Sequence, residues 1–323
     1  MRSLKHFLLF AFLPVAGFGQ SLGTAKVPED LLKATLQLEI AQTRTNTKYF
    51  PYGIFKEEGG KVIQVSPTNL VAQVFQPETI FLPAGSGVLM SHSNVNVFAT
   101  AKHVVEKNED VFFRIPQKNT NMPEHRPHRE MKARSGVGWI YSTNADVAVT
   151  VLIINPTTDD IRFIPLEMAA KYESVSVGDD IFVSGFPSSV IELEAPALRS
   201  GIVSSKLGDK MILIDALTFP GNSGGPVFWK PTMGLNLFGN QIGEGRYPSL
   251  VGLALYSPLF SEGAVSPQSG RTRIVFEANS GYTHVVSASR ILEVLEYPEA
   301  KDAIDRALGK QLAAKAPQPS GTK

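Results

Sequence analysis

The stretch LTFPGNSGGPVFW, Leu217 to Trp229, places one serine inside a cluster of small and turn-forming residues between two apolar runs. The run MILIDAL, Met211 to Leu217, is typical of a buried strand. A glycine cluster after a strand is often only a tight turn. A serine surrounded by bare backbone N–H groups is also the arrangement of a nucleophile, which needs a base and an orienting acid.

Composition limits the classes of protein that this chain can belong to. Of its 323 residues, 43% are hydrophobic and 19% are charged, as in an ordinary globular protein. The formal net charge of +1 gives no indication of a nucleic-acid partner. The chain has no cysteine, which excludes disulfides, a cysteine nucleophile and a thiolate metal site.

Residues 1–19 have the pattern of a secretory signal peptide. Arg2 and Lys5 precede an apolar run, Phe7 to Phe18, that is too short to span a bilayer comfortably. No later stretch is long and apolar enough for a transmembrane helix. We therefore expect a secreted or periplasmic protein without a membrane span.

The sequence pattern predicts short β-strands over most of the remaining chain. From Val62 onward, β-rich apolar runs alternate with Gly, Pro, Asn and Ser, which predicts an all-β sandwich or barrel. The segment from Ser287 to Lys315 has helical periodicity, with Ser287 or Ser289 as N-cap and Pro298 dividing it. The basic piece HRPHREMKAR, His125 to Arg134, is predicted to be a solvated loop.

Two further residues are candidates for the base and the acid. His103 follows the predicted strand NVFATA, and Asp146 directly precedes the apolar run VAVTVLII. Each signal is weak alone, since a histidine after a strand is usually structural and an aspartate there often only begins the strand. Together they provide what a serine nucleophile requires: His103 as base for Ser223 and Asp146 as the acid behind the imidazole.

The same hypothesis explains the glycines around Ser223. The backbone N–H groups of Gly221 and Ser223 are predicted to form the oxyanion hole. This chemistry requires no cofactor. A metal site is not indicated, because His125 and His128 have no apparent third ligand.

The motifs TAKHV, NADVAV and PGNSGGPVF resemble those of the trypsin-like serine proteases of the chymotrypsin fold, closest to the HtrA/Deg-like branch. AGSGVLM, VGDDIFVSGFP, SGIVSS and GYTHVVSASRILEVL, which resembles the closing strand and helix, extend the resemblance over roughly residues 70–297. It implies two antiparallel six-stranded β-barrels with a C-terminal helix. Members of this branch commonly carry a PDZ domain after the protease, and the residues after Tyr297 are too few for one.

The resemblance also implies the domain boundaries. We expect a first barrel over residues 70–165 and a second barrel with its closing helix over residues 166–297. Residues 20–69 are expected to form an N-terminal extension, and the first strand of the fold can lie either within it or after it. Residues 298–323 form a helical or disordered tail.

Specificity follows from the resemblance as well. The family's positions that line the primary substrate pocket correspond to Leu217, Leu255, Tyr256 and Ser257 in this chain. Because position 217 is not an aspartate, a preference for substrates with Lys or Arg is not indicated. The pocket is expected to be apolar and shallow, and the alternative is that Leu217 is simply core. Residues 228–249 are an expansion relative to the family, expected to overhang this pocket.

The function implied is an exported serine endopeptidase that acts on polypeptides through an acyl-enzyme on Ser223. Two alternatives remain open: a catalytically silent protease fold that serves as a binding or scaffolding module, and a hydrolase that acts on esters. The natural substrate and the oligomeric state do not follow from the sequence.

Overall fold

An eight-stranded sheet forms the N-terminal half of the computed structural model, which describes residues 29–49, 54–58, 61–66, 73–108, 110–188, 193–231 and 248–315. The elements up to residue 165 are α1 Glu29–Lys33, β1 Thr35–Tyr49, β2 Ile54–Glu58, β3 Lys61–Ser66, β4 Gln73–His92, β5 Val95–Thr100, α2 Lys102–Val105, β6 Phe112–Gln117, β7 Thr120–Pro127, α3 His128–Ser135, β8 Ile140–Tyr141, β9 Ala148–Val151 and β10 Ile164–Pro165.

The strands of this sheet follow the order β7-β6-β1-β4-β5-β9-β8, and β10 pairs with β4 in parallel. The long strands β1 and β4 are antiparallel from Thr35↔Val88 to Tyr49↔Gln73. The short hairpin of β2 and β3 lies between them in the chain. The first strand, β1, therefore lies in the segment that the sequence analysis treats as an extension.

A closed barrel of six strands forms the C-terminal half, with the order β11-β12-β13-β18-β15-β14. Its elements, with the hairpin and helices that follow, are β11 Asp180–Gly185, β12 Ala197–Lys206, β13 Met211–Asp215, β14 Pro226–Trp229, β15 Leu250–Tyr256, β16 Leu259–Val265, β17 Thr272–Asn279, β18 Tyr282–Ser287, α4 Ala288–Leu295 and α5 Pro298–Lys315. The predicted all-β fold with a six-stranded barrel and a C-terminal helix is confirmed. The N-terminal sheet has eight strands where the resemblance implies six, and two of them, β8 and β10, are only two residues long.

The C-terminal helices close the core of the N-terminal sheet. Ser287 caps α4, because its side chain accepts a hydrogen bond from the backbone N–H of Ser289. Ile291 and Val294 of α4 and Ile304 of α5 are buried in the same apolar cluster as Phe98 of β5. The chain thus returns from the second barrel to the first, which fixes the two halves against each other.

The segment His125 to Arg134 is not the solvated loop that the sequence predicts. It contains the end of β7 and most of α3, and both Arg126 and His128 are buried. Arg126 pairs with the buried carboxylate of Asp159, and His128 stacks on Trp139 with ring centroids 4.7 Å apart. The prediction of a solvated loop is therefore wrong, because these polar side chains are buried and have partners inside the protein.

The hairpin of β16 and β17 is also absent from the sequence-based prediction. Its residues are exposed almost throughout, including Phe260, Ile274 and Phe276. Several predicted segments lie outside the described residues: the signal peptide, residues 232–247 of the expanded link and the tail from residue 316 onward. Among the described helices, none is both long and apolar enough to cross a membrane.

Candidate active site

Strand pairing in the first sheet brings His103 and Asp146 together. β5 and β9 are antiparallel neighbours, and Thr100 at the end of β5 faces Ala148 at the start of β9. His103 lies on α2 just after β5, and Asp146 lies just before β9. The two predicted residues therefore lie at the same end of adjacent strands, although 43 positions separate them in the chain.

The carboxylate of Asp146 holds His103 at two points. The Nδ1 atom of His103 lies 2.6 Å from Oδ2 of Asp146, and the backbone N–H of His103 donates to Oδ1 at 2.9 Å. An ionised carboxylate only accepts hydrogen bonds, so Nδ1 carries the proton and the lone pair of the neutral ring is on Nε2. Within the described part of the chain, Nε2 has no hydrogen-bond partner.

The environment of Asp146 favours its ionised form. Burial of the carboxyl group acts to raise its pKa, but hydrogen bonds from the side chain and backbone of His103 and from the backbone of Lys102 outweigh it. The pKa of Asp146 therefore lies below its ordinary value. A charge fixed behind the imidazole stabilises the imidazolium that forms when Nε2 accepts a proton.

The glycines of the serine loop, residues 217–225, are required by the backbone. Gly221 and Gly224 have φ angles of +93° and +81°, in the region that favours glycine. A Cβ atom at Gly221 would lie 2.3 Å from the carbonyl oxygen of Phe186, and one at Gly224 would lie 2.2 Å from that of Ser86. The loop is therefore packed so closely that no side chain fits at either position.

The backbone N–H groups on either side of Asn222 differ from their neighbours in having no acceptor among the residues that the structure describes. The N–H groups of Asn222, Gly224 and Gly225 donate to the carbonyl oxygens of Phe219, Ala254 and Asn222, respectively. Within the described residues, the N–H groups of Gly221 and Ser223 have no acceptor. These are the two groups that the sequence analysis assigns to the oxyanion hole.

The orientation of the Gly221 N–H follows from its neighbour. The carbonyl oxygen of Pro220 accepts hydrogen bonds from the backbone N–H and the hydroxyl of Ser188, at 2.8 and 3.0 Å. In a trans peptide the C=O and N–H groups point to opposite sides. The N–H of Gly221 therefore points away from Ser188.

The hydroxyl of Ser223 is bonded elsewhere than to the predicted base. It donates to the carbonyl oxygen of Leu255 at 2.7 Å, and Ser223 and His103, both described, share no hydrogen bond. The structure thus brings His103 into contact with Asp146, whereas Ser223 contacts β15 across the loop.

The predicted pocket residues lie in different environments. The exposed fraction of Leu217 is 37%, so the alternative that Leu217 belongs to the core is wrong. Leu255 is buried, whereas Tyr256 is 54% exposed and stacks on His284 with ring centroids 4.6 Å apart. Ser257 is part-buried and bonded to Thr218.

A cluster of hydroxyl groups, formed by Thr218, Ser257 and Thr283, lies where an apolar pocket was expected. The Thr218 Oγ1 atom lies 2.8 Å from both Ser257 Oγ and Thr283 Oγ1. Asn279 donates from its side-chain amide to the carbonyl oxygen of Thr218 at 2.7 Å. Sequence reasoning missed Thr218, Thr283 and Asn279, because they are distant in the chain and no motif marks them.

No metal-binding group is indicated in the part of the chain that the structure describes. There, no three His, Asp or Glu side chains are placed to hold one ion.

Comparison with known proteins gives one sequence match and several structural ones. Residues 85–231 match the model of the trypsin-like peptidase domain, and they contain His103, Asp146 and Ser223. No curated protein matches the chain.

The similar solved structures are distant in sequence. The HtrA-type protease AlgW with decapeptide is 17% identical with a TM-score of 0.47, over 86% of this chain and 66% of that one. The same protease with tripeptide is 16% identical with a TM-score of 0.43, over 83% and 60%. A serine endoprotease from Yersinia pestis is 15% identical with a TM-score of 0.44, over 86% and 70%. This chain spans slightly less than two thirds of the length of the AlgW chains. On the family match, the predicted resemblance of this chain to the trypsin-like serine proteases is confirmed over residues 85–231.

Proposed function

We propose that this chain is a serine endopeptidase in which Ser223 is the nucleophile, His103 the general base and Asp146 the orienting acid. The observation that carries the proposal is the double contact of Asp146 with the ring and the backbone of His103, at 2.6 and 2.9 Å. That contact leaves Nε2 as the free, basic atom of the imidazole.

Acylation proceeds by proton transfer and attack. The Ser223 hydroxyl gives its proton to Nε2 of His103 while Oγ bonds to the carbonyl carbon of the scissile peptide. The negative charge that develops on the carbonyl oxygen is stabilised by the free N–H groups of Gly221 and Ser223. The intermediate then expels the amine, which takes the proton from His103 and leaves an ester on Ser223.

Deacylation repeats the sequence with water. His103 takes a proton from a water molecule whose oxygen attacks the ester carbon, and it returns that proton to Oγ of Ser223. The polypeptide is thereby cut into an amine and an acid, and the enzyme is restored. Asp146 stays ionised throughout, as its lowered pKa favours.

One conformational step precedes this chemistry. Because Ser223 Oγ donates to Leu255, the side chain has to rotate about its Cα–Cβ bond before it can donate to His103. The staggered positions of such a bond are about 120° apart. The same hydrogen bond favours the rival hypothesis of a silent protease fold that only binds other molecules.

A fluorophosphonate probe separates these hypotheses. An enzyme is labelled on Ser223 and a silent fold is not, while Ser223→Ala serves as the matched control. Among the enzymes, an endopeptidase degrades casein, whereas an esterase acts only on simple ester substrates. Absence of labelling in the folded wild type would contradict the proposed function.

We further propose that the enzyme is exported, on the evidence of the charged start and short apolar core of residues 1–19. The mature chain is expected to begin near Phe18 or Gln20. Mass analysis of the protein from the periplasm or medium tests this, and an intact Met1 in that fraction would contradict it.

A further inference from the structure

Ser86 is a completely buried residue that connects β4 of the first sheet with the serine loop. Its side chain is 0% exposed. The hydroxyl donates to the carbonyl oxygen of Gly221 at 2.7 Å and accepts from the backbone N–H of Phe186 at 2.9 Å. One hydroxyl thus joins β4, the end of β11 and the loop that carries the nucleophile.

The backbone of Ser86 reaches the nucleophile as well. Its N–H donates to the carbonyl oxygen of Ser223 at 2.8 Å, and its own carbonyl oxygen accepts from the hydroxyl of Thr100 at 2.7 Å. Ser86 therefore binds the carbonyl oxygens of both Gly221 and Ser223. These are the two residues whose N–H groups are proposed to stabilise the oxyanion.

The hydrogen bond from the Ser86 hydroxyl to Gly221 restricts backbone rotation at this glycine. The peptide before the α-carbon of Gly221 is held by Ser188 through the carbonyl oxygen of Pro220. The peptide after it is held by the Ser86 hydroxyl at the carbonyl oxygen of Gly221, and by the bond from the Asn222 N–H to Phe219. Because glycine populates many backbone conformations, its φ of +93° depends on such external bonds.

We propose that Ser86 is a positioning residue for the oxyanion hole: its hydroxyl holds the Gly221–Asn222 peptide and so, together with Ser188 on the preceding peptide, fixes the backbone of Gly221 with its free N–H toward the reacting carbonyl. This inference rests on the proposed function. The hydroxyl has no hydrogen bond to His103, Asp146 or the Ser223 side chain, all of them described, and it acts through Gly221 and through Phe186, which packs against Gly221. Its contribution is made in the transition state, where the charge on the carbonyl oxygen develops.

Loss of the hydroxyl has a distinctive kinetic consequence. Removal of a direct oxyanion donor lowers kcat by about 100- to 1,000-fold. Because Ser86 acts one peptide away, we expect Ser86→Ala to lower kcat by about tenfold or more. KM should stay within about twofold, since the ground-state contacts are unchanged.

The experiment compares three variants of the full chain with the wild type on fluorescent casein. Ser86→Ala removes the hydroxyl, and Ser86→Thr restores it on the same Cβ. Ser184→Ala is the matched control, because Ser184 is a buried serine of β11 whose hydroxyl lies 3.0 Å from Thr35 Oγ1 across the two halves. We expect a kcat near that of the wild type for Ser86→Thr and Ser184→Ala.

A second readout separates positioning from mere stability. N-acetyl-valyl trifluoromethyl ketone forms a tetrahedral oxyanion on the serine, whereas the product N-acetyl-valine does not. The inhibition constant of the ketone should weaken in Ser86→Ala by the same factor as kcat/KM, while that of the product is unchanged. Thermal unfolding shows whether each variant is folded, and Ser86→Cys, of similar size but with a weak donor, replaces an unfolded Ser86→Ala.

The outcomes are distinct. Equal losses in Ser86→Ala and Ser184→Ala, or a ketone affinity that does not change, would overturn the role of Ser86 while the protease activity stands. A folded wild type that is inert toward casein and the fluorophosphonate probe would overturn the proposed function and this role together.

Discussion

The hydroxyl of Ser223 donates to the carbonyl oxygen of Leu255 at 2.7 Å, so the nucleophile is bonded to β15 and not to the imidazole of His103. Leu255 precedes Tyr256 and Ser257, and all three are among the residues predicted to line the primary pocket. A substrate that lies along this strand with an N–H group facing the Leu255 oxygen competes for that acceptor. Such competition would release the Ser223 hydroxyl toward His103 at the moment when the substrate is in place.

The first prediction follows from this competition. Consider a peptidyl 4-nitrophenyl ester, in which the last residue supplies the acyl carbon that Ser223 attacks. The ester in which the α-nitrogen of this residue carries a hydrogen should acylate Ser223 faster than the same ester with that nitrogen methylated. We expect a difference of about tenfold, because a hydrogen bond to an otherwise vacated buried acceptor is worth about 1–3 kcal/mol. Stopped-flow release of 4-nitrophenol measures the acylation rate. Equal rates for the two esters would show that the Leu255 oxygen plays no part in release of the hydroxyl.

The second prediction concerns the nucleophile. Ser223→Ala should abolish labelling by the fluorophosphonate probe and lower kcat on casein by about a millionfold, because triad residues act as a unit. Peptide mapping of the labelled wild type identifies the modified residue. A label on another serine in the variant would contradict the assignment of Ser223 as the nucleophile.

The third prediction concerns the acid. Asp146→Asn should leave the fold intact but lower kcat by roughly 10⁴-fold, because an amide no longer enforces the Nδ1-protonated tautomer of His103. Circular dichroism checks the fold, and casein turnover checks the rate. If activity stays near that of the wild type, Asp146 only begins the strand β9.

The fourth prediction concerns the hydroxyl cluster of Thr218, Ser257 and Thr283. If the pocket lies between Leu217 and Ser257, the 2.8 Å contact between Thr218 and Ser257 closes its deep end. Peptides with Ala or Val before the cut should then be cleaved at least about tenfold faster than peptides with Phe, since each misfitting methylene costs about 1–3 kcal/mol. Mass spectrometry of a digested peptide library measures this preference, and a preference for Phe would place the pocket elsewhere.

The sequence was most informative where chemistry demands particular residues near one another in the chain. Gly221, Ser223 and Gly224 occur within one loop, and the glycine content of that loop predicts the unusual backbone at Gly221 and Gly224, whose φ angles are positive. The reason that only glycine fits there is the close packing of these two residues against Phe186 and Ser86. The pairing of His103 with Asp146 required the family motifs as well, because neither residue alone was a strong signal. Strand order then accounts for their contact.

Features that depend on distant contacts could not be read from the chain. Thr218 meets Thr283 across 65 positions, and the rotamer of Ser223 is set by Leu255. The sequence predicts a solvated loop for Arg126 and His128, which are buried, because polarity in a single sequence does not show whether a charge has a buried partner. The exposed hairpin of β16 and β17 lacks the polar alternation by which a surface hairpin is recognised.

The last prediction concerns the buried pair of Arg126 and Asp159, which joins β7 to the turn after β9. Both guanidinium Nη atoms of Arg126 donate to the carboxylate at 3.1 Å, and the backbone N–H of Asn155 adds a bond of 2.8 Å. The Asp159 carboxylate is fully buried. Burial acts to raise its pKa, but the bonds from Arg126 and Asn155 outweigh it, so the pKa lies below its ordinary value.

The sign of the pH dependence follows from that shift. A carboxyl group whose pKa is lower in the folded state stabilises the fold above its unfolded pKa of about 3.9, and this contribution is lost as pH falls through the folded value. Asp159→Asn should therefore lower the free energy of unfolding by about 2–3 kcal/mol at pH 7, because the buried guanidinium of Arg126 loses its charged bonds to Asp159 and keeps only Glu124 as an ion-pair partner. The deficit relative to the wild type should be constant above about pH 5 and shrink below about pH 4. Asp160→Asn is the matched control, since Asp160 pairs with Lys33 near the surface and should cost less than about 1 kcal/mol. Urea unfolding of the three proteins from pH 3 to 7 measures these differences, and a deficit that persists unchanged at pH 3 would mean that Asp159 contributes through shape and neutral hydrogen bonds instead of through its charge.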